Sequence, residues 1–400
     1  MLLVDEIAKH KQELIELRRD FHMYPELGFQ EFRTSDRVEQ YLKELGLETR
    51  KISKTGVVAT LRSKHAGSSS DTPTLMLRAD MDGLPIQEEN NIPYKSKNSG
   101  VMHACGHDAH MAMLLVAAKV ITENYADKIG GNIKFVFQPN EEITGAEVMI
   151  EDGVLENPRV NAAIGIHVWS PLESGIIGTQ AGPVTASLDV FKLVVYGKGG
   201  HTGYPESAID PIIATANIIQ SIQIIQTREI NAQKPTIIMF ARIEGGSKSN
   251  IIPDSVTVEG SMRYLYAGGE DSAENPRRRF ERIVKGVSEA YRTRYEIEFI
   301  QENYAVVNNP EMVRIAKSTA EEITGDRKKV IDYACMAGED FSAFAARVPA
   351  VFLFLGTGNK EKGSDYPHHN PRFNIDEDIL PMGVELFVRG ALKYFQEQPL

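Results

Sequence analysis

The stretch at residues 132–142, NIKFVFQPNEE, starts as a short apolar run and ends on two adjacent glutamates. Its length and its content of isoleucine, valine and phenylalanine predict a buried strand. Pro139 and Asn140 predict the turn that stops it, which leaves Glu141 and Glu142 at the strand end. In an apolar cleft such a pair would repel. A divalent cation relieves the conflict, because one carboxylate binds it while the other takes a proton from water. In an exposed loop the same pair does nothing. The flanking segments decide between the two readings.

Outward from this strand the pattern alternates. Helices are expected near 4–21 and 34–45, and strands at 56–63 (GVVATLRS) and 74–82 (TLMLRADMD). A helix follows at 110–123 and a strand at 160–169, VNAAIGIHVW, that closes around His167. This order predicts an α/β domain with a largely parallel sheet, in which ligands gather at the carboxyl ends of the strands. RADMD, QPNEE and GIHVW all fall at such ends. The pattern changes near Ala186. Strand 187–199, helix 208–225, strands 235–246 and 254–265, helix 275–294 and strand 295–304 follow one another in the β-α-β-β-α-β order of ferredoxin-like folds. The chain then returns through a helix, the loop CMAGEDFSAF, the strand AVFLFLGTG and the loop HHNPRFNIDED to a last helix. The expected architecture is a mostly parallel, mixed-sheet α/β catalytic domain over 1–185 and 305–400. A ferredoxin-like α+β insertion over 186–304 interrupts it. Residues 64–73, KHAGSSSDTP, read as a surface loop.

A chain of 400 residues suggests two domains. A net charge of −11 argues against nucleic acid or an anionic membrane as partner. Two cysteines exclude a disulfide scaffold and fit a cytoplasmic location. The N-terminus reads as an amphipathic helix and not as a signal peptide. The longest apolar run, VPAVFLFLG, falls far short of the ~20 residues of a membrane span.

Residues 101–114, VMHACGHDAHMAML, hold three of the ten histidines and one of the two cysteines. Cys105 and His107 stand two apart, so on an irregular turn both can face one metal ion, and thiolate with imidazole suits zinc or a similar metal. Asp108 is a candidate to orient a ligand histidine. Two other readings stay open at this point. The segment can be a helix N-terminus with a buried thiol, or Cys105 can be a nucleophile with His107 or His110 as its base. His167, His368 and His369 add imidazoles, so the segments together supply ligands for up to two ions, and zinc dyads hydrolyse amides and esters.

Nine segments in order then resemble the M20 metallopeptidase family over nearly the whole chain, and most closely its aminoacylase/amidohydrolase branch. They are HMYPELGFQEFRTS, LRADMDGLPIQE, MHACGHDAHMAMLL, FQPNEE, GIHVW, GKGGHTGYPESAIDP, NIIPDSVTVEGSMR, AGEDFSAF and HHNPRFNIDEDILPMG. The resemblance implies two divalent metal ions per subunit, with zinc expected and manganese, cobalt or nickel fitting as well. It implies the ligands Cys105, His107, Glu142, His167 and His369, with His369 chosen because the family's histidine stands two before the proline, here Pro371. Glu141 takes the general-base position and His201 the oxyanion position. Asn250 and Arg263 match substrate contacts, and Asp82 matches an aspartate that orients a ligand histidine. Asp80 stands where the wider family has a histidine ligand, and Asn140 where alanine is usual.

The activity implied is hydrolysis of the linear amide of an N-acyl amino acid, a small-molecule substrate, by a water bridging the metals. Alternatives are an M20 dipeptidase or carboxypeptidase, or an N-acetyldiaminopimelate deacetylase. A non-catalytic binding protein and a cysteine-nucleophile hydrolase stand further off. The resemblance also implies a homodimer or homotetramer formed through the inserted lid/dimerisation domain, with His201 acting on the partner subunit's metal site.

Overall fold

The computed structural model describes residues 3–63, 72–266 and 275–397. Residues 64–71 of the expected surface loop lie outside them. The chain divides into two units, Met1–Val184 with Val306–Ala334 and Glu339–Leu400, and Thr185–Ala305 with Cys335–Gly338.

The first unit is built on an eight-stranded mixed sheet. Its spatial order is Glu48–Ile52, Gly56–Leu61, Asn132–Gln138, Thr74–Asp80, Ala162–Glu173, Ala350–Gly358, Ile177–Gly178 and Val330–Ile331. Asn132–Gln138, Thr74–Asp80, Ala162–Glu173 and Ala350–Gly358 run parallel at the centre. The edge pair Glu48–Ile52 and Gly56–Leu61 is antiparallel. Thr74–Asp80 and Asn132–Gln138 are buried at every position. Such strands read as continuous apolar runs because helices cover both faces of the sheet. The helix His107–Val120 is buried at every residue but Lys119 and packs against Lys11–Met23, Phe32–Glu44 and Leu380–Glu397. That makes it an interior helix, apolar all round, so its first turn is rigidly placed.

Two details differ from expectation. The first helix is broken at His10, whose backbone leaves the helical region, giving Leu3–Lys9 and Lys11–Met23. The strand Glu48–Ile52 was not foreseen. Its sequence is ETRKI and only Ile52 is buried. Polar, exposed edge strands carry little hydrophobic signal.

The second unit holds Ser187–Tyr196, Pro211–Ile224, Thr236–Gly245, Ser255–Tyr264, Pro276–Tyr291 and Arg294–Asn303. Its four strands form an antiparallel sheet with the second and fourth at the edges. One face is closed by the two helices over Phe191, Leu193, Ile218, Ile222 and Phe280. Cys335–Gly338, which sequence reading leaves with the other domain, belongs here, tied by Ala186 N to Ala337 O. No described helix is long and apolar enough to cross a membrane.

Lys134 shows how the sheet fixes the loop beside it. Its side chain is fully buried, and Nζ donates to the carbonyls of Val154, Glu156 and Pro158, each at 2.8 Å. Lys134→Met keeps the apolar stem but orphans three carbonyls. An unsatisfied buried group costs about 1–3 kcal/mol, and rehydration recovers part of it, so a loss of roughly 3 kcal/mol is expected. Calorimetry should show the melting temperature of this unit roughly 5 °C lower. An unchanged value would mean that the loop holds itself.

Candidate metal centre

Cys105 and His107 flank Gly106, which caps the buried helix with φ +93. A Cβ there would meet Val168 Cγ2 at 2.3 Å. Only glycine takes this left-handed bend at close approach. The bend places Cys105 Sγ 3.5 Å from His167 Nε2. His107 Nδ1 lies 2.9 Å from Asp82 O and 3.2 Å from Asp82 Oδ1, both acceptors. The proton therefore sits on Nδ1, and in the neutral ring Nε2 offers a lone pair.

Asp82 also fixes the glutamate turn, since Glu141 N donates to its Oδ1 at 3.0 Å and Glu142 N to its Oδ2 at 3.1 Å. One carboxylate thus sets both a histidine and the backbone of the acidic pair. Glu31, buried and absent from the sequence reading, accepts from Asn140 N at 2.9 Å. Asn140 has φ +54. Asparagine tolerates that left-handed conformation better than most residues. The chain then folds back so tightly that a Cβ on Gly145 would fall 1.7 Å from Pro139 O.

His167 lies midway along the central strand Ala162–Glu173, which runs past the expected end at Trp169, and its Nδ1 donates to Val168 O at 2.6 Å. This leaves Nε2 toward Cys105. His369 Nε2 comes within 3.3 Å of Glu142 Oε1. It sits in a left-handed conformation, φ +63, held by its N–H to Ala104 O. A non-glycine residue in that region stores strain that its surroundings must hold. His368 instead stacks on Trp169 at 4.4 Å and donates Nε2–H to Val168 O.

Donor atoms of Cys105, His107 and His167 lie within 4.8 Å of one another, as do those of Cys105, Glu142 and His369, and of His107, Glu141 and Glu142. His107 Nε2 and Glu142 Oε1 are buried atoms with no hydrogen-bond partner, and they face each other at 4.0 Å. With the His107 ring neutral, both atoms are acceptors with no donor between them, a need that a divalent cation would satisfy. The donor set of thiolate, imidazoles and carboxylate suits a divalent transition metal.

His110 is not available as a ligand or as a base for Cys105. Val168 N donates to its Nε2 at 2.8 Å, and its Nδ1–H donates to Asp80 Oδ1 at 2.6 Å. Asp80 in turn is bonded by Arg78 Nη1 at 2.6 Å. Asp108 does not orient a ligand histidine. Its Oδ2 accepts from Arg18 Nε and His22 Nδ1, both at 2.8 Å, and Asp82 fills the role that adjacency suggested for Asp108.

Negative charge dominates the centre. Burial, then Glu339, Glu142 and Asp340, push the Glu141 carboxyl well above the usual range. Burial, then Glu142 and Glu141, likewise push up the Cys105 thiol. Burial opposes the His107 imidazolium, yet Asp80, Asp82 and Glu142 outweigh it and push His107 up to about 10. Each group keeps a proton that a bound cation would displace. Behind Glu141 lie three further buried groups that sequence reading gave no role, Arg78, Glu339 and Asp340.

Within the second unit, Gly203 N donates to His201 Nδ1 at 2.9 Å, so the neutral ring keeps its proton on Nε2. His201 and Asn250 line one open pocket of about 610 Å³. Arg263 lines a different part of the unit, where Nη1 donates to Met336 O at 3.0 Å.

Comparison with known proteins gives a consistent neighbourhood. The family described as Peptidase family M20/M25/M40 matches residues 76–393. "Thermostable carboxypeptidase 1" of Saccharolobus solfataricus is 38% identical over 399 residues, covering 98% of each chain. "N-acetylcysteine deacetylase" of Bacillus subtilis is 34% identical over 95% of this chain and 96% of its own. Among solved structures, the YXEP protein of Bacillus subtilis, described as a dinuclear metal binding peptidase, superposes with a TM-score of 0.83. It is 31% identical and covers 97% of this chain and 99% of its own.

Proposed function

The chain belongs to peptidase family M20/M25/M40, and from that premise we propose that it hydrolyses the amide of N-acyl amino acids with Glu141 as general base. The observation that carries the reading is the pair of facing acceptors, His107 Nε2 and Glu142 Oε1, with Glu141 beside them. Cys105, His107, Glu142, His167 and His369 would hold two divalent ions, as in the dinuclear relative. Zinc is expected, and manganese, cobalt or nickel suit the same donors. Bound there, the ions supply Lewis acidity, polarising the amide carbonyl and easing deprotonation of water.

This chain's residues do the rest. Glu141, whose proton affinity is raised, takes the proton of the attacking water and returns it to the leaving nitrogen. His201 offers its Nε2–H to the oxyanion, and Asn250 and Arg263 bind the substrate's backbone and carboxylate. The inserted unit pairs two chains in a homodimer or homotetramer, and His201 acts on the partner's site. Its open edge strand exposes Ile237, Met239 and Ile243, which supports pairing there. Cys105 and Cys335 form no disulfide with each other, which supports a cytoplasmic location.

The 38% identity to a carboxypeptidase favours a second reading in which the acyl group is a peptide. Both act on an amide next to a free carboxylate. Metal-loaded enzyme should be assayed on N-acetyl, N-benzoyl and indole-acyl amino acids, their C-terminal amides, and N-blocked dipeptides. Turnover of the N-acyl amino acids that is lost on amidation supports the first reading. Turnover of the dipeptides alone moves it to the second. No turnover on any member removes both.

A further inference from the structure

The turn that carries Glu141 and Glu142 has no regular structure between the strand ending at Gln138 and the helix starting at Gly145. A general base on such a turn must nevertheless be aimed to within a fraction of an ångström, because misplacement by ~1 Å can cost 10²-fold in rate. Asp82 and Glu31 hold the backbone at residues 140–142, as described above. The other end is held from a distant part of the chain.

Asp340 stands 199 residues from Glu141 and is 4% exposed. Its two carboxylate oxygens accept from Gln138 Nε2 at 2.7 and 2.8 Å. Oδ2 also accepts from Ala146 N at 2.8 Å, and Oδ1 from Arg78 Nη2 at 3.0 Å. One carboxylate therefore joins the last residue before the turn to the first helical turn after it. The backbone N–H of Asp340 points at Glu141 Oε1, 3.4 Å away, so the same residue meets the base side chain. Arg78 binds Asp80, Glu339, Asp340 and Gln138 at once and holds the clamp in register. A buried carboxylate is expensive to desolvate, by several kcal/mol per ion, and an apolar side chain of similar volume would serve packing as well. What an apolar side chain could not do is accept from both ends of the turn.

We propose that Asp340 is a positioning residue for the hydrolysis, clamping both ends of the Glu141 turn through Gln138 Nε2 and Ala146 N so that the base is aimed. The inference rests on Glu141 being the base. The Asp340 side chain touches no reacting atom and acts through the turn, while its backbone N–H, which the variants keep, meets Glu141 Oε1.

Asp340→Asn is the first variant. Its amide oxygen can still accept from Ala146 N, but its NH₂ then opposes the NH₂ of Gln138. Asp340→Asn/Gln138→Glu is the second, which exchanges amide and carboxylate, restores a donor facing an acceptor, and keeps the total charge. Hydrogen exchange followed by mass spectrometry on peptides spanning residues 138–146, in metal-free protein, reads the turn without reference to activity. Exchange there should be at least tenfold faster in Asp340→Asn and return toward wild type in the exchanged pair. On the best N-acyl amino acid, kcat should fall about 10–100-fold in Asp340→Asn. KM should stay within about twofold with full metal content, the melting temperature should drop by only a few degrees and leave the protein folded at the assay temperature, and the exchanged pair should regain most of the loss. Unchanged exchange in the turn overturns the proposal. So does a fall in turnover that follows lost metal or unfolding at the assay temperature, or an exchanged pair no better than the single variant. A wild type inactive on every amide instead removes the functional reading, and the exchange comparison still judges the clamp.

Discussion

Replacing Glu141 by glutamine leaves a protein that binds its metals and turns over about 10²–10⁴-fold more slowly, the usual worth of a positioned general base. Glutamine keeps the volume and an acceptor for Asp340 N, 3.4 Å away, so the turn has no reason to move. It cannot accept a proton. Glu142→Ala should behave in the opposite order. Its Oε1 is the atom that faces His107 Nε2 at 4.0 Å and His369 Nε2 at 3.3 Å, and removing it takes away the acceptor shared by both sides of the cluster. That variant should lose metal first and activity as a consequence. Metal analysis of each purified protein, beside kcat on one substrate, separates the roles. Full metal in Glu142→Ala with depleted metal in Glu141→Gln would exchange base and ligand between the two positions.

The contrast between these neighbours marks how far the sequence could be read. The buried parallel strands were legible because their apolar runs are uninterrupted, and the proposed ligands because they cluster at the ends of those runs. Glu48–Ile52 was illegible because an exposed edge strand needs no apolar pattern. Asp108 misled because adjacency in sequence is not adjacency in a helix. Residues i and i+1 point about 100° apart around the axis, so beside an inward His107 it turns to Arg18 and His22. Glu31 and Asp340 reach the turn across 109 and 199 residues. No local pattern marks such partners. The motif AGEDF drew attention to Asp340, but its purpose appears only when Gln138 and Ala146 are seen on either side of one carboxylate.

Chelation should abolish turnover completely and also change how stability depends on pH. In the metal-free protein two groups hold protons that the unfolded chain would release. Burial and its acidic neighbours raise Glu141, and Asp80 with Asp82 and Glu142 raises His107 to about 10 against the effect of burial. Unfolded carboxyls titrate near 4 and histidine near 6.5. Above pH ~6.5 the folded chain therefore carries the extra protons, and stability must fall as pH rises. Other buried groups act outside this window. Burial depresses His103 to about 4 and His368 to about 3, which makes stability rise with pH, but only below pH ~6.5 where an unfolded histidine is charged. Burial lowers Lys134 to about 8, so its opposing contribution begins there. Between pH ~6.5 and 8 the raised groups act alone. The melting temperature of EDTA-treated protein should drop by several degrees across that interval. The metal-loaded protein should show much less change, because the cation has already displaced the protons. Adding back divalent metal should restore both activity and the flat profile. A metal-free protein whose melting temperature holds or rises from pH 6.5 to 8 would mean that His107 and Glu141 do not share one buried acidic field.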